Sequence, residues 1–291
     1  MFNENALCAL NNIGNSCFFN SLLQLLFNCN IFNKFIINNK INGNTINLYS
    51  NFISSYSCSS LITPNDIIQY ISKISDLKLF SQECASEYLI LLLNLIIDEL
   101  SEYLDNKFST NKSAIIKKFI SKLFNIKIKK TIICPKCFYN SISYDNELCL
   151  YLSVLIENNN LYDLLNNYIN QELSETNKWF CDKCNKYSSC NIKLSITYIP
   201  KYLIINLNRF TNQNNKNNNI VIMPFQFTLL NKIYQLRGFI FHSGNTNGGH
   251  YVYYGKKDKW YLFNDNNINV VDDSNIENIK NYGFIYLYVY S

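Results

Sequence analysis

The chain has 291 residues but only two histidines, four prolines, eight glycines and two tryptophans. Two histidines confine imidazole chemistry to His242 and His250. No stretch reaches the roughly 18 apolar residues of a membrane span. The longest apolar run, around Leu89-Ile90-Leu91-Leu92-Leu93, soon meets Asn94 and Asp98. The opening Met1-Phe2-Asn3-Glu4-Asn5 lacks the basic and apolar regions of a secretory leader. An excess of one charge is also missing. A net charge of +5 is mild for this length and argues for neither nucleic acid nor an anionic membrane as partner. Basic clusters with interleaved aromatics are absent, and Lys127-Ile128-Lys129-Lys130 reads as a strand edge. The expectation is an intracellular protein of the cytoplasm and/or nucleus, off the membrane. Abundant Asn, Ile, Tyr and Lys look like AT-rich coding, so scattered Asn carries weight only where position gives it some.

What is present is ample apolar content. Hydrophobic residues make up 48% of the chain, enough for one large domain or two ordinary ones. Eleven cysteines in an intracellular chain point to metal and catalysis rather than disulfides. Four of them form Cys134-Pro135-Lys136-Cys137 and Cys181-Asp182-Lys183-Cys184. Two residues between cysteines let both thiolates of a knuckle face one metal, and two knuckles complete a tetrahedral zinc site. With four thiolates no open position remains, so the expected zinc is structural. Cys149 and Cys190 are near enough to be mistaken for ligands and read as strand or loop residues.

A further cysteine has another setting. In Asn11-Asn12-Ile13-Gly14-Asn15-Ser16-Cys17, an Asn/Gly loop precedes an apolar helix from Phe18 to Phe27. Gly14 permits the turn, and Asn15 or Ser16 is placed to cap the helix. Free N–H groups and the helix dipole would favour a thiolate at Cys17. The alternative is a buried structural cysteine. His250 follows Gly248-Gly249, which lets a substrate backbone come close. A strand, a turn and Trp260-Tyr261-Leu262-Phe263 then lead to Asn264 and Asp265, both candidates to orient an imidazole. His242 precedes Ser243-Gly244 at a strand end.

Up to Lys122 the chain reads as mostly helical. Thr63 caps a helix through Ile74, Ser81 starts a buried helix, and residues 110–122 form an amphipathic one. Strands dominate beyond, with alternation at Phe124, Ile126 and Ile128. Residues 157–160 read as a turn, 161–173 as a helix and 199–210 as a strand. The Asn-rich 211–219 reads as a disordered loop. Arg209 reads as a solvated or paired strand-end residue. Antiparallel strands are expected at 234–241, 250–255, 260–263 and 284–290.

Residues 9–24, Ala-Leu-Asn-Asn-Ile-Gly-Asn-Ser-Cys-Phe-Phe-Asn-Ser-Leu-Leu-Gln, resemble the Cys box of the ubiquitin-specific protease family, G-L-x-N-x-G-N-T-C-x-x-N-S-x-L-Q. His242-Ser243-Gly244, Gly249-His250-Tyr251, Trp260 and Phe263-Asn264-Asp265 resemble its His box. The resemblance runs over nearly the whole chain. It implies an α+β, papain-like cysteine protease fold in a single catalytic domain over 1–291. A helical thumb would span 1–123, zinc-ribbon fingers 124–198 and an antiparallel β palm 199–291. It further implies a monomeric deubiquitinating enzyme acting on ubiquitin and ubiquitinated proteins. Cys17 would be the nucleophile, His250 the base, Asn264 the orienting residue, Asn12 the oxyanion donor and Asp265 an auxiliary group. Cys134, Cys137, Cys181 and Cys184 would hold the structural zinc. One departure stands out: the family's tail-binding Asp falls on Cys84, with Glu83 beside it. The alternatives are a non-catalytic ubiquitin-binding scaffold and a protease for a ubiquitin-like modifier.

Overall fold

A computed structural model describes all residues except 1, 40, 77–82, 156–158, 173–177, 211–214, 246–247 and 291, and leaves undescribed the side chains of 171, 172 and 191. The first half is helical. After a short strand β1 (Ala9–Leu10) come α1 (Cys17–Phe27), α2 (Asn30–Asn39) and α3 (Asn44–Cys58). Strand β2 (Leu61–Ile62) pairs parallel with β1, and α4 (Asn65–Ile74), α5 (Ala85–Lys107) and α6 (Thr110–Phe124) follow. Every residue of α1 is buried, because it lies between α5 and the large sheet. Full burial of a Phe or Leu contributes about 1.5–3 kcal/mol, so Phe19, Leu22, Leu23 and Leu26 fix this helix firmly.

The second half is β-rich. Strands β3 (Ile126–Ile133), β4 (Asn140–Glu147) and β5 (Leu150–Ser153) lead into α7 (Leu161–Ile169). Then come β6 (Asn170–Glu172), β7 (Trp179–Cys181), β8 (Lys186–Ser188), β9 (Asn191–Tyr198) and β10 (Tyr202–Asn208). The last stretch holds β11 (Gln226–Leu229), β12 (Lys232–Asn245), β13 (Gly248–Lys256), β14 (Trp260–Asn264), β15 (Asn267–Val271), α8 (Asp273–Ile279) and β16 (Ile285–Tyr290). The large sheet runs β15-β14-β13-β12-β16-β10-β5, with β11 on β12, and is antiparallel except for the β10–β5 pair. Alternation along its strands feeds two cores. Ile204, Ile240, Tyr253 and Ile285 face the helices. Ile205, Phe239, Tyr254 and Tyr286 face a second core with α7. A four-stranded sheet, β4-β3-β9-β6, and the β7–β8 hairpin project from this body.

Several boundaries differ from the sequence reading. The helix at 161 ends at Ile169, and Asn170–Glu172 pairs with β9 instead. Cys84, not Ser81, occupies the N-cap position of α5, and Ser81 lies outside the described residues. Pro64 holds that position in α4, while the Thr63 hydroxyl accepts from the Asn11 amide at 2.8 Å. Lys127 to Lys130 lies on a central strand, not an edge, because β3 pairs on both sides. Of the 157–160 turn, residues 157 and 158 are not described, and Asn160 caps α7.

Of the Asn-rich 211–219, residues 211–214 lie outside the described residues, and the remainder is hydrogen-bonded to the body of the fold. Arg209, only 1% exposed, donates to the carbonyls of Gly283, Asn217, Asn219 and Asn281 at 2.8–3.2 Å. It is a buried clamp, not a solvated strand end.

Candidate active site

Two arms meet at the site. The first is the loop before α1. Asn12 Oδ1 accepts from the N–H groups of Gly14 (2.9 Å) and Ser16 (3.1 Å), closing the loop on itself. Gly14 has φ 98 and Asn15 φ 54, so the chain turns through the left-handed region here. The Ser16 hydroxyl accepts from Ile13 N–H and makes no helix cap. Cys17 follows as the first helical residue, 3% exposed.

The second arm is the β12–β13 hairpin and the β14–β15 turn. Ser243 pairs with His250 and His242 with Tyr251. The backbone N–H of Tyr251, next to His250, faces the Cys17 sulfur and favours its charged form. Asn264 ends β14, and its Oδ1 lies 2.7 Å from His250 Nε2. A carboxamide oxygen only accepts, so Nε2 carries the proton and Nδ1 is left as the basic nitrogen. Burial nevertheless pushes the Cys17 thiol above its ordinary range, and the Asp265 charge adds to this; backbone donors oppose it. Burial thus works against the thiolate that the helix start favours.

Asp265 joins the two arms. It sits at φ 48 in the two-residue turn between β14 and β15. Its Oδ2 accepts from Asn12 Nδ2 at 2.8 Å and its Oδ1 from Asn20 Nδ2 at 2.7 Å. Its carbonyl accepts from Leu10 N–H at 2.9 Å. Its carboxylate is 3.9 Å from His250 Nε2, beyond hydrogen-bond reach. Asn12 thus spends one amide hydrogen on Asp265; its other has no partner among the described residues. Asn20, one turn along α1 from Cys17, was not singled out in the sequence, although it belongs to the Cys box. Replacing Asp265 by alanine removes the carboxylate that accepts from exposed Asn12 and from buried Asn20, which keeps only the Leu10 and Asn11 carbonyls at 3.3 Å. The expected cost is about 1–3 kcal/mol of folding free energy, read by urea denaturation, with Asp265→Asn losing less.

His242 is buried between Tyr251 and Phe210, with ring centroids at 4.4 and 5.5 Å. Burial, then the Lys216 and His250 charges, push it down to about 4, so it is neutral near pH 7. Its backbone has a second role. Beyond Ile240, β12 loses its partner β16, while pairing with β13 continues to Asn245. Lys216 Nζ takes over, donating to the carbonyls of His242 (2.6 Å) and Gly244 (3.3 Å). The loop thus braces the hairpin that carries His250. Lys216→Met is expected to cut turnover about tenfold, the loss of one to two charge-assisted bonds. Lys216→Arg should restore it, and both variants should melt near wild type.

Cys84 approaches the site from α5. Its sulfur lies 3.1 Å from the Ser86 hydroxyl. The next backbone N–H, that of Ala85, faces the Tyr251 phenol oxygen. Tyr251 therefore contacts both helix starts, a role no sequence pattern had signalled.

The four knuckle cysteines lie apart from this site. Their sulfurs all fall within 4.8 Å of one another, with Cys134–Cys184 at 3.8 Å and Cys137–Cys181 at 3.6 Å. A tetrahedron with metal–sulfur bonds of about 2.3 Å has edges of about 3.8 Å, so the cluster fits one tetrahedral ion. Phe138 (φ 56) and Asn185 (φ 49) take left-handed conformations just after each pair, turning the chain around the site. The backbone N–H groups of Cys137 and Lys136 hold the Cys134 thiol below its ordinary range. Cys149 and Cys190 are buried elsewhere, bonded to the Leu150 carbonyl and to Ser188.

A family model described as ubiquitin carboxyl-terminal hydrolase matches residues 8–288. The chain belongs to the ubiquitin carboxyl-terminal hydrolase family. This hydrolase is 26% identical to ubiquitin carboxyl-terminal hydrolase 4 of Arabidopsis thaliana, covering 91% of the chain and 86% of the relative. It is 34% identical to ubiquitin carboxyl-terminal hydrolase 5 of Saccharomyces cerevisiae, but over 54% of the chain and 22% of that longer protein. With Usp2 of Drosophila melanogaster it shares 27% over 94% of the chain and 33% of the relative. Its fold is that of a chain in the solved SAGA DUB module Ubp8/Sgf11/Sus1/Sgf73 bound to monoubiquitin. There the TM-score is 0.77 at 21% identity, covering 100% of this hydrolase and 70% of that chain. Family and fold make the chain a cysteine-type deubiquitinase.

Proposed function

We propose that the hydrolase cleaves the bond after the C-terminal glycine of ubiquitin, with Cys17 as nucleophile. The observation that carries this is the geometry at His250. Its Nε2–H is held by Asn264 on β14, and the following residue, Tyr251, bears on the Cys17 sulfur through its backbone N–H. His250 Nδ1 takes the thiol proton as sulfur attacks the carbonyl carbon, which suits a thiol whose charged form burial disfavours. The Cys17 backbone N–H and the free Asn12 amide hydrogen receive the oxyanion; one such donor is worth about 3 kcal/mol. His250 then protonates the leaving lysine amine, and water hydrolyses the thioester. Asp265 acts by holding Asn12 and the Cys17 loop against the β14–β15 turn.

The four-cysteine cluster would hold structural zinc. Zinc there would tie the β3–β4 turn to the β7–β8 hairpin; with four thiolates it has no open position for catalysis. The projecting sheet would be the fingers, the helices the thumb and the large sheet the palm.

Incubation with lysine-linked diubiquitin and with ubiquitin bearing a C-terminal fluorogenic amide tests the reading. Release of intact ubiquitin and dye is expected. Binding without release would favour a scaffold, and release only from a ubiquitin-like modifier would move the substrate.

A further inference from the structure

A cavity of about 670 Å³ opens where the helices meet the large sheet, lined by none of the site residues above. Five cationic and two acidic side chains line it. That excess of three compares with five for the entire chain. Both acids are already engaged. Glu4 pairs with Lys34 at 2.8 Å, and Asp258 accepts from the Tyr261 hydroxyl at 3.0 Å. Lys256 reaches Asp273 at 3.6 Å.

Three cations remain without a carboxylate partner among the described residues. Lys201 donates to the Tyr290 carbonyl. Lys257 donates to the Glu4 carbonyl at 2.7 Å, with the Phe27 ring 5.2 Å away. Arg237 has only the Gln235 amide oxygen at 3.4 Å. Arg237 is also the extra residue of a β-bulge, between the pairs Leu236–Tyr288 and Gly238–Leu287. A bulge breaks the alternation of a strand and re-aims one side chain, here toward the cavity. The Asn30 carboxamide lines the same wall with its oxygen buried and unpartnered. Rotated end for end, it offers an NH2 to an acceptor.

We propose that this cavity binds a compact oligophosphate through Lys201, Arg237 and Lys257. The volume suits a small molecule rather than a protein segment. Three cations without a carboxylate partner, offset in that volume only by Asp258, call for a ligand that brings two or more negative charges. The guanidinium fork matches phosphate oxygens in pairs. Burial lowers Lys257 to about 8, so its ammonium gains from a facing anion. The walls come from both halves of the molecule: Glu4, Asn30 and Lys34 from the helical side, the three cations from the sheet. The Ile31 N–H already donates to the Tyr202 hydroxyl across this junction at 2.8 Å. A bound oligophosphate would add a further tie and raise the melting temperature by mass action.

Calorimetric titration with sodium tripolyphosphate tests this, in buffer of about 0.1 M ionic strength so that diffuse charge is screened. One site per wild-type chain is expected. Arg237→Ala and Lys201→Gln should each weaken binding about tenfold or more, while leaving the unliganded melting temperature unchanged. Lys112→Gln, on the surface outside the cavity, should bind as wild type does. ATP titrated alongside assigns the source. Tighter binding than tripolyphosphate supports a nucleotide, and equal or weaker binding supports a bare oligophosphate. Absence of saturable binding, or equal weakening by Lys112→Gln and Arg237→Ala, would overturn the proposal.

Discussion

Cys17→Ala is expected to lower cleavage of a ubiquitin C-terminal amide by at least about 10⁴-fold, with the fold intact. The reason lies in what surrounds the sulfur. Its neighbours are the Tyr251 N–H, the helix start and the arm that carries His250, and no other cysteine has that setting. His250→Ala should lose nearly as much, and the double variant little more, because the two act as one unit. The pH dependence follows from burial. A thiol raised above its ordinary range stays protonated through neutrality, and its thiolate grows only as pH climbs past the free-cysteine range. Alkylation of Cys17 by iodoacetamide should therefore rise with pH later than that of the exposed Cys58. Peptide mapping by mass spectrometry separates the two sites. Faster alkylation of Cys17 at pH 7 would show that His250 and the helix start outweigh burial.

The second large effect concerns the four-cysteine cluster. Stripping the metal, or replacing Cys181 by serine, should unfold the projecting sheet and hairpin. Structural zinc in small domains supplies about 10–16 kcal/mol of binding free energy, which doubles as folding free energy. The sheet it would support has little else to hold its tip, where Ile133, Phe138, Ile142 and Tyr187 are all exposed. Limited proteolysis should then cut within residues 126–198 and spare α1 to α6. Wild-type protein should carry one zinc per chain by elemental mass spectrometry. Cys149→Ser and Cys190→Ser should keep it; loss of metal in either would place the site elsewhere.

Legibility in the sequence followed the range of the interactions. The loop–cysteine–helix pattern and the paired CxxC knuckles are local, so spacing alone exposed them. The α+β order was equally plain from the change in apolar period near residue 124. Helix starts failed where a cap residue was judged without its tertiary use. Thr63 answers Asn11, and Ser16 answers Ile13 and Asn12. The helix drawn through residue 173 stopped early because Asn170–Glu172 finds a strand partner in β9, a non-local gain that local propensity does not register. Composition alone reads 211–219 as disorder and shows none of the contacts made by its described part. Arg209 and Lys216 hold the described part, 215–219, through backbone carbonyls. The network around Asp265 was the least visible. Its partner Asn12 is 253 positions away, and a bare Asp after Asn264 gives no hint of which polar groups it will meet. Burial at Cys17 was equally hidden, since the dipole argument is local and desolvation is not.

The account rests on Cys17 being the nucleophile toward ubiquitin. The most direct measurement is intact mass after incubation with ubiquitin carrying a cysteine-reactive group at its C-terminus, wild type beside Cys17→Ala. One ubiquitin added to wild type, and none to the variant, is the expected result. An adduct that persists in Cys17→Ala, or none in folded, zinc-loaded wild type, would contradict it.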